Sequence, residues 1–244
     1  MQQPDLYIPA QPGHKRRLLY DLYEVYQRWV ELFPLACKNG CAACCTQSVF
    51  MSSLEGELIL DCLMKEGRDS WLAEELARNA SGNSGMRATT NQYTRACLEQ
   101  QEIGEAEPDG WNFTPCVFLD EDSCSIYDVR PFGCRSFISL EQCTGISGAE
   151  IAPIHLTVGT VFTQINEHLC SDGGYWGNMT DILAYLMAGD TSAAAESLQP
   201  AQPIPGFLLE PREVKVVNDL LKQLHDHGPE KQTFGDLIDN FMPI

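Results

Sequence analysis

Four cysteines stand within nine residues of the sequence, and thiols this close together can bind one metal ion or cluster. They have the pattern C-x3-C-x2-C-C and are Cys37, Cys41, Cys44 and Cys45. A second, more widely spaced group follows downstream and consists of Cys116, Cys124, Cys134 and Cys143. Eight thiols in two groups match two four-coordinate sites, or one cubane cluster with further thiols near it.

The cellular compartment that the sequence indicates favours a metal over disulfides. The first residues, Met1 to Asp5, are polar and no apolar signal segment follows them, so we expect a cytoplasmic location. Thiols stay reduced in the cytoplasm unless a metal binds them. The chain also has 11 cysteines, and an odd number does not fit a complete disulfide framework.

Cys45 is the site residue whose role the sequence leaves most open. Adjacent side chains in an extended backbone point apart, so Cys44 and Cys45 are not expected to bind one ion together. Cys45 can belong to a second centre, remain a free thiol or bridge two metals. Cys170, beside a glycine-rich loop, is an alternative to Cys143 as a ligand.

The sequence does not fix the metal, because sites made only of thiolates suit both zinc and iron–sulfur clusters. Arg130 and Arg135 flank Cys134 and can offset thiolate charge or, equally, pair with nearby aspartates. Aromatic residues around the downstream cysteines favour a [4Fe-4S] cluster shielded from water, with zinc as the alternative. These residues are Phe113, Phe118, Tyr127, Phe132 and Phe137.

No other motif competes with the cysteines. The sequence lacks a glycine-rich phosphate loop, a serine nucleophile elbow and an HExxH zinc motif. Radical S-adenosylmethionine enzymes also use C-x3-C-x2-C, but the alternating strands and helices of their barrel are not predicted here. Cys62 and Cys97 lie in helical patterns and are predicted to be small buried residues rather than ligands.

The charge of the chain restricts its partners. A formal net charge of −18 opposes binding to nucleic acid or to an anionic lipid surface. No apolar run approaches the roughly 20 residues that span a bilayer. We therefore expect no nucleic acid and no membrane partner, and a protein partner or substrate that the sequence does not identify.

The elements that must position the cysteines are predicted to be mainly helices. Apolar residues recur every three or four positions from about Arg16 to Phe33 and predict a helix that ends just before the upstream cysteines. Ser52 and Glu55 form a capping box that begins a helix reaching Lys65. Further helices are predicted over residues 70–79, 90–101, 156–169, 180–187 and 214–224.

Residues 113–137 have a different pattern, because short β-like runs flank a polar turn at residues 120–123. This pattern predicts a small hairpin whose ends carry Cys116 and Cys124. The expected fold class is therefore mostly α: a helical domain with a small irregular or two-stranded cysteine-rich metal-binding insert.

Two boundaries complete the predicted organisation. Residues 170–177 are predicted to be a loop, because they contain two adjacent glycines. Residues 199–206 form a proline-rich crossing. We expect a cysteine-cluster domain over residues 1–198, with its motif region at 37–143, and a helical extension over 199–244 packed on the same core.

The cysteine patterns together resemble those of the bacterial CxxCxxCC family, which is described as a zinc- or iron-chelating domain. The resemblance rests on the upstream cysteines and on three downstream motifs: Pro115-Cys116-Val117-Phe118-Leu119, Cys124-Ser125-Ile126-Tyr127-Asp128-Val129-Arg130-Pro131 and Gly133-Cys134-Arg135. It implies metal binding through the eight cysteines. Flagellin lysine N-methylases carry a related cysteine motif, which implies cluster-dependent methyl transfer from S-adenosylmethionine as an alternative, so whether the chain is an enzyme stays open.

Overall fold

The structure is a computed structural model that describes residues 13–79, 88–102, 113–143, 148–188 and 193–226. The polar connections predicted near residues 80–85 and 104–110 lie outside these ranges. Eight α-helices dominate the described chain and confirm the mostly α fold: α1 His14–Val30, α2 Ser53–Lys65, α3 Asp69–Asn79, α4 Thr90–Leu98, α5 Phe132–Ser136, α6 Pro153–Leu169, α7 Met179–Ala188 and α8 Val214–Asp226.

Two small antiparallel sheets accompany the helices in these ranges. One has the strand order β1-β4-β5, and the other is a two-stranded hairpin of β2 and β3. The strands are β1 Phe50–Ser52, β2 Leu119–Asp120, β3 Ser123–Cys124, β4 Tyr175–Asn178 and β5 Gln199–Pro200.

Helices α1 and α2 form as their sequence signals predict. The apolar stripe of α1 is buried, and the helix ends at Val30 through a tighter turn in which Phe33 N donates to Val30 O at 3.1 Å. At the start of α2 the Ser52 hydroxyl accepts from Glu55 N, and the Glu55 carboxylate accepts from Ser52 N. The predicted capping box is therefore present.

Two clusters of buried apolar side chains hold the helices together. The first joins α1, α6 and α8 and is centred on aromatic rings, with Tyr26 4.8 Å from Phe132 and 5.4 Å from Phe162 between ring centroids. The second joins α2, α3 and α7, and includes Phe118 and Ile126. The downstream cysteine segment thus contributes Phe118 to one cluster and Phe132 to the other, which fixes it on the helical scaffold.

Part of the segment predicted as a loop at residues 170–177 is instead a strand. Strand β4 pairs with β1, with Ser52 opposite Trp176, and with β5, with Tyr175 opposite Pro200. The proline-rich crossing is likewise tied down, because its residues Ala201 and Ile204 are buried. These strands depend on pairing between distant segments, which local sequence patterns do not report.

The predicted hairpin is confirmed but is shorter than expected. Its register places Leu119 opposite Cys124, and Asp120 opposite Ser123. Cys116 precedes the first strand, while a 3-10 turn at Tyr127–Val129 replaces the expected β-like continuation. Among the helices described, none is long and apolar enough to cross a membrane.

Candidate metal centre

The upstream cysteines occupy a loop of successive turns that follows α1. Cys41 N donates to Lys38 O at 3.1 Å, and Gly40 adopts a φ of 88°, a left-handed conformation that glycine takes without a steric penalty. Cys45 N donates to Ala42 O at 3.0 Å in the next turn. The four thiols therefore sit on a tightly folded loop rather than on an extended backbone.

The backbone joins the upstream loop directly to the downstream cysteines. Thr46 and Pro115 form an isolated antiparallel bridge, and Cys116 N donates to Cys45 O at 3.0 Å. The two cysteine groups, separated by about seventy residues of sequence, are thereby brought into contact. This juxtaposition is what a shared metal-binding region requires.

Cys116 and Cys124 have the same local arrangement around sulfur. The backbone N–H of Phe118 acts on the thiol of Cys116, and that of Ile126 acts on the thiol of Cys124, each lowering the pKa of its thiol. Burial raises the pKa of Cys116 to about 11 and also raises the pKa of Cys124, while these N–H groups act in the opposite direction. Backbone N–H groups of this kind stabilise sulfur once it is charged, as in a metal-bound thiolate.

Cys134 lies on α5, whose position is fixed by a buried carboxylate that we did not predict as part of the site. Glu55 accepts hydrogen bonds from Phe132 N at 2.5 Å and from the Tyr23 hydroxyl at 2.6 Å. Its first role, in the capping box, was visible in the sequence. Its second role depends on the fold, because it ties α5 to α1 and α2.

Arg135 places a buried positive charge beside the downstream thiols. Its guanidinium donates to the carbonyl oxygens of Arg130 at 2.9 Å and Asp128 at 2.6 Å, and lies over the Tyr23 ring. Burial, with Arg130 nearby, lowers the pKa of Arg135 to about 10. Its charge interacts with Cys134 and Cys124, so of the two predicted roles the structure favours charge compensation over aspartate pairing.

A separate backbone contact holds the first cysteine. The thiol of Cys37 accepts a hydrogen bond from Ser139 N at 3.1 Å, and Ala36 N donates to Ser139 O at 2.9 Å. Burial raises the pKa of Cys37, and its other interactions are with Cys41, Cys44 and Cys143. Ser139 was not predicted, because a serine that acts through its backbone N–H leaves no residue-specific signal.

The backbone at Cys44 and Cys45 forms a turn, with Cys45 N donating to Ala42 O, rather than the extended conformation that we assumed from the sequence. Interaction between the two side chains raises the pKa of Cys44 and lowers the pKa of Cys45. Beyond this pair, Cys45 interacts with Cys134, Cys116 and Cys124.

Three other cysteines are held apart from this region. Cys170 is buried at the end of α6, and its thiol interacts with Leu54 N and the hydroxyls of Ser52 and Ser53. Cys62 is only half-buried and lies against Glu66, while Cys97 is exposed, so the prediction that both are buried is wrong. A single thiol does not alter the helical pattern enough to show which face it occupies.

The aromatic shield expected around the downstream cysteines is incomplete. Phe118 and Phe132 are each 1% exposed and belong to the hydrophobic clusters beneath the site. Phe113 and Phe137 are 74% and 49% exposed, respectively. The Tyr127 ring stacks under the Arg130 guanidinium at 3.7 Å. One side of the region is therefore apolar and the other is open to water.

The thiols converge without forming a closed coordination sphere. In the ranges that the structure describes, no group of three or more His, Cys, Asp or Glu side chains is arranged so that it could hold a metal ion as it stands. Binding would require the thiols to move together. The partly exposed cysteines of the upstream loop can do this by rotating about χ1. The donor set itself, eight thiols with N–H donors and a guanidinium, suits zinc or iron.

Comparison with known proteins agrees with this donor chemistry. Residues 36–149 match the model of the CxxCxxCC family, described as "Putative zinc- or iron-chelating domain". The matched segment contains all eight predicted ligands. No curated protein and no solved structure matches the chain.

Proposed function

We propose that the chain uses its clustered cysteines to hold an iron–sulfur cluster of the [4Fe-4S] type, and the premise is the match of residues 36–149 to the CxxCxxCC family. Metal binding through the cysteines is the function that the family describes. The choice of iron–sulfur over zinc and a redox or accessory role are our proposal. A cluster bound here would supply one-electron transfer.

The observation that carries the proposal is the relation of the cysteines to the hydrophobic core. Structural zinc typically folds small modules that have little core of their own. Here Phe118 and Phe132 anchor the downstream cysteines to two large apolar clusters. The helical scaffold does not need a metal to hold it together. We therefore infer that the metal serves a function rather than acting as a staple.

The surroundings of the thiols also suit a cluster. Iron–sulfur potentials depend on hydrogen bonds to sulfur, nearby charge and solvent exposure. Backbone N–H groups act on the sulfurs of Cys37, Cys116 and Cys124. The buried guanidinium of Arg135 supplies a nearby charge, and the buried Phe118 ring limits solvent exposure on one side.

The test is metal and acid-labile sulfide analysis with absorption spectroscopy on the full chain purified without oxygen. We expect brown protein containing iron and sulfide in equal amounts. Colourless protein that contains zinc alone would replace this proposal with a zinc centre. Protein free of any metal, and unable to bind iron or zinc when either is added, would remove metal binding altogether.

A pair of cysteine variants separates the site from general thiol effects. Cys134→Ser removes a partly buried thiol next to Arg135 in sequence and should lose at least half of the bound iron. Cys97→Ser removes an exposed thiol on α4 and should keep the wild-type iron content. Equal losses in the two variants would mean that the iron is bound adventitiously.

A further inference from the structure

We propose that the eight cysteines form two separate four-thiol centres that divide between Cys44 and Cys45. Cys37, Cys41, Cys44 and Cys143 make one centre, and Cys45, Cys116, Cys124 and Cys134 make the other. This inference rests on the proposed metal-binding function and deepens it, because it assigns every thiol and identifies the peptide bond that links the two centres.

The backbone geometry places Cys45 with the downstream group. Cys45 O accepts from Cys116 N at 3.0 Å, and the next residue, Thr46, pairs with Pro115. The hairpin then brings Cys124 opposite Leu119, whose N–H donates to Cys116 O at 3.0 Å. Cys45 is therefore held on the hairpin side of the loop.

Cys134 completes this second set. Its helix α5 approaches β1 so closely that a Cβ on Gly133 would lie 3.0 Å from Phe50 O. Cys134 interacts electrostatically with Cys116 and Cys124, and Cys45 interacts with Cys134, Cys116 and Cys124. The four thiols of this set thus come from four local segments: the upstream loop, the segment before β2, β3 and α5.

The first set is gathered around a different contact. Ser139 accepts from Ala36 N and donates to the thiol of Cys37, so the segment that leads to Cys143 lies along the start of the upstream loop. The sulfur neighbours of Cys37 are Cys41, Cys44 and Cys143. The sulfurs with which Cys45 interacts beyond Cys44 are instead those of Cys134, Cys116 and Cys124.

The two sets meet at one point. The side chain of Cys44 interacts with that of Cys45 and also with that of Cys134. Adjacent residues that belong to different centres explain why this chain has a Cys-Cys pair. Each set contains four thiols, which is the number of ligands in a tetrahedral zinc site or around a [4Fe-4S] cluster.

The experiment titrates Co²⁺ into the metal-free full chain under reducing conditions and follows the absorption of cobalt bound to thiolate. Wild type should bind two equivalents. Cys45→Ser and Cys143→Ser should each bind one, and the double variant should bind none with comparable affinity. Cys62→Ser, which changes a half-buried thiol outside both sets, should keep two equivalents.

A second pair of variants tests the division itself. Cys45→Ser/Cys116→Ser removes two thiols from one set and should still bind one equivalent, whereas Cys44→Ser/Cys45→Ser removes one from each and should bind none. A single equivalent in wild type, or an unchanged two in Cys45→Ser, would overturn the division while leaving metal binding intact. Wild type that binds neither cobalt nor, when each is added, iron or zinc would refute the proposed function instead. Circular dichroism of each variant confirms that the helices are retained.

Discussion

Glu55 is a single residue that connects the scaffold to the cysteines. It is fully buried and its carboxylate is shared among Ser52 N, Phe132 N and the Tyr23 hydroxyl. Removing it would leave two buried N–H donors and one buried hydroxyl without their acceptor. Its loss should therefore affect both stability and the position of Cys134.

We predict that Glu55→Ala lowers the free energy of unfolding by about 3 kcal/mol, since hydrogen bonds to a charged group are each worth roughly 1.5–3 kcal/mol. Urea unfolding measures this loss, and bound metal should fall with it. Glu57→Gln is the matched control on the same helix, because Glu57 makes a partly exposed ion pair with Arg16. That change should cost less than about 1 kcal/mol and keep the metal.

His155 is a buried polar residue that contributes nothing to the cysteine sets. It is 1% exposed and its ring packs edge-on against Phe33 at 4.4 Å and Trp29 at 5.2 Å between centroids. Neither ring nitrogen has a hydrogen-bond partner within the described ranges. Burial lowers the pKa of His155, so the folded state favours the neutral ring.

We predict that this histidine makes the protein less stable in mild acid. The unfolded chain takes up a proton near pH 6.5 and the folded chain does so only at lower pH, so stability falls as the pH drops through this range, by at most about 1.4 kcal/mol per pH unit. His155→Phe should reduce the difference in unfolding free energy between pH 7 and pH 5. Gln223→Ala, an exposed change that removes no titratable group, should leave that difference at its wild-type value.

At the scale of elements, the close approach of α5 to β1 sets the position of Cys134. Gly133→Ala would place a methyl group 3.0 Å from the backbone oxygen of Phe50, and a backbone atom cannot rotate away. We predict a loss of about 1–3 kcal/mol in unfolding free energy and a reduced metal content.

The control for this prediction is a glycine with more room. A Cβ on Gly159 in α6 would meet only Ser136 Cβ at 3.5 Å, an ordinary contact. Gly159→Ala should therefore be neutral or should stabilise the helix by up to about 1 kcal/mol. If Gly133→Ala and Gly159→Ala changed the free energy of unfolding equally, the close contact between α5 and β1 would not be the cause of the loss at Gly133.

The helices could be predicted from the sequence because their signals are local. The apolar stripe of α1 and the capping box of Ser52 and Glu55 need no tertiary information, and both are observed. Strand β4 was missed because its residues, Tyr175–Asn178, follow two glycines and gain their structure only by pairing with β1. A strand of four residues carries too little pattern to identify alone.

The candidate site divides in the same way. The spacing of the eight cysteines identified them as candidate metal ligands. It did not indicate which of them share a centre, because Cys44 and Cys45 are neighbours in sequence. Ser139 acts by donating its backbone N–H to the Cys37 thiol, and Glu55 acts by accepting the backbone N–H of Phe132. Such contacts depend on where distant segments meet.

For the whole molecule, α8 belongs to the cluster that also contains α1 and α6. Leu221 is fully buried in this cluster. We predict that Leu221→Ala lowers the free energy of unfolding by about 2–5 kcal/mol. Helix content and bound metal should be lost at the same, lower urea concentration, because residues 199–226 and the cysteine segment share one core.

Lys222→Ala, the neighbouring exposed position on α8, should change stability by no more than about 0.5 kcal/mol. Circular dichroism and metal release, followed in the same urea series, provide the comparison. Two separate transitions, with metal release unaffected by Leu221→Ala, would indicate that the cysteine domain folds independently of its C-terminal helix.

The pairing of Cys45 and Thr46 with Pro115 and Cys116 also sets an order of events during synthesis. The upstream loop leaves the ribosome first, and the 98 residues from there to Cys143 take roughly 5–20 s to make at usual elongation rates. During that interval four thiols are present without the segments that complete their environment. A centre that needs both cysteine groups can therefore be loaded only after the downstream cysteines have been made, and oxidants present during translation would reach the upstream cysteines first.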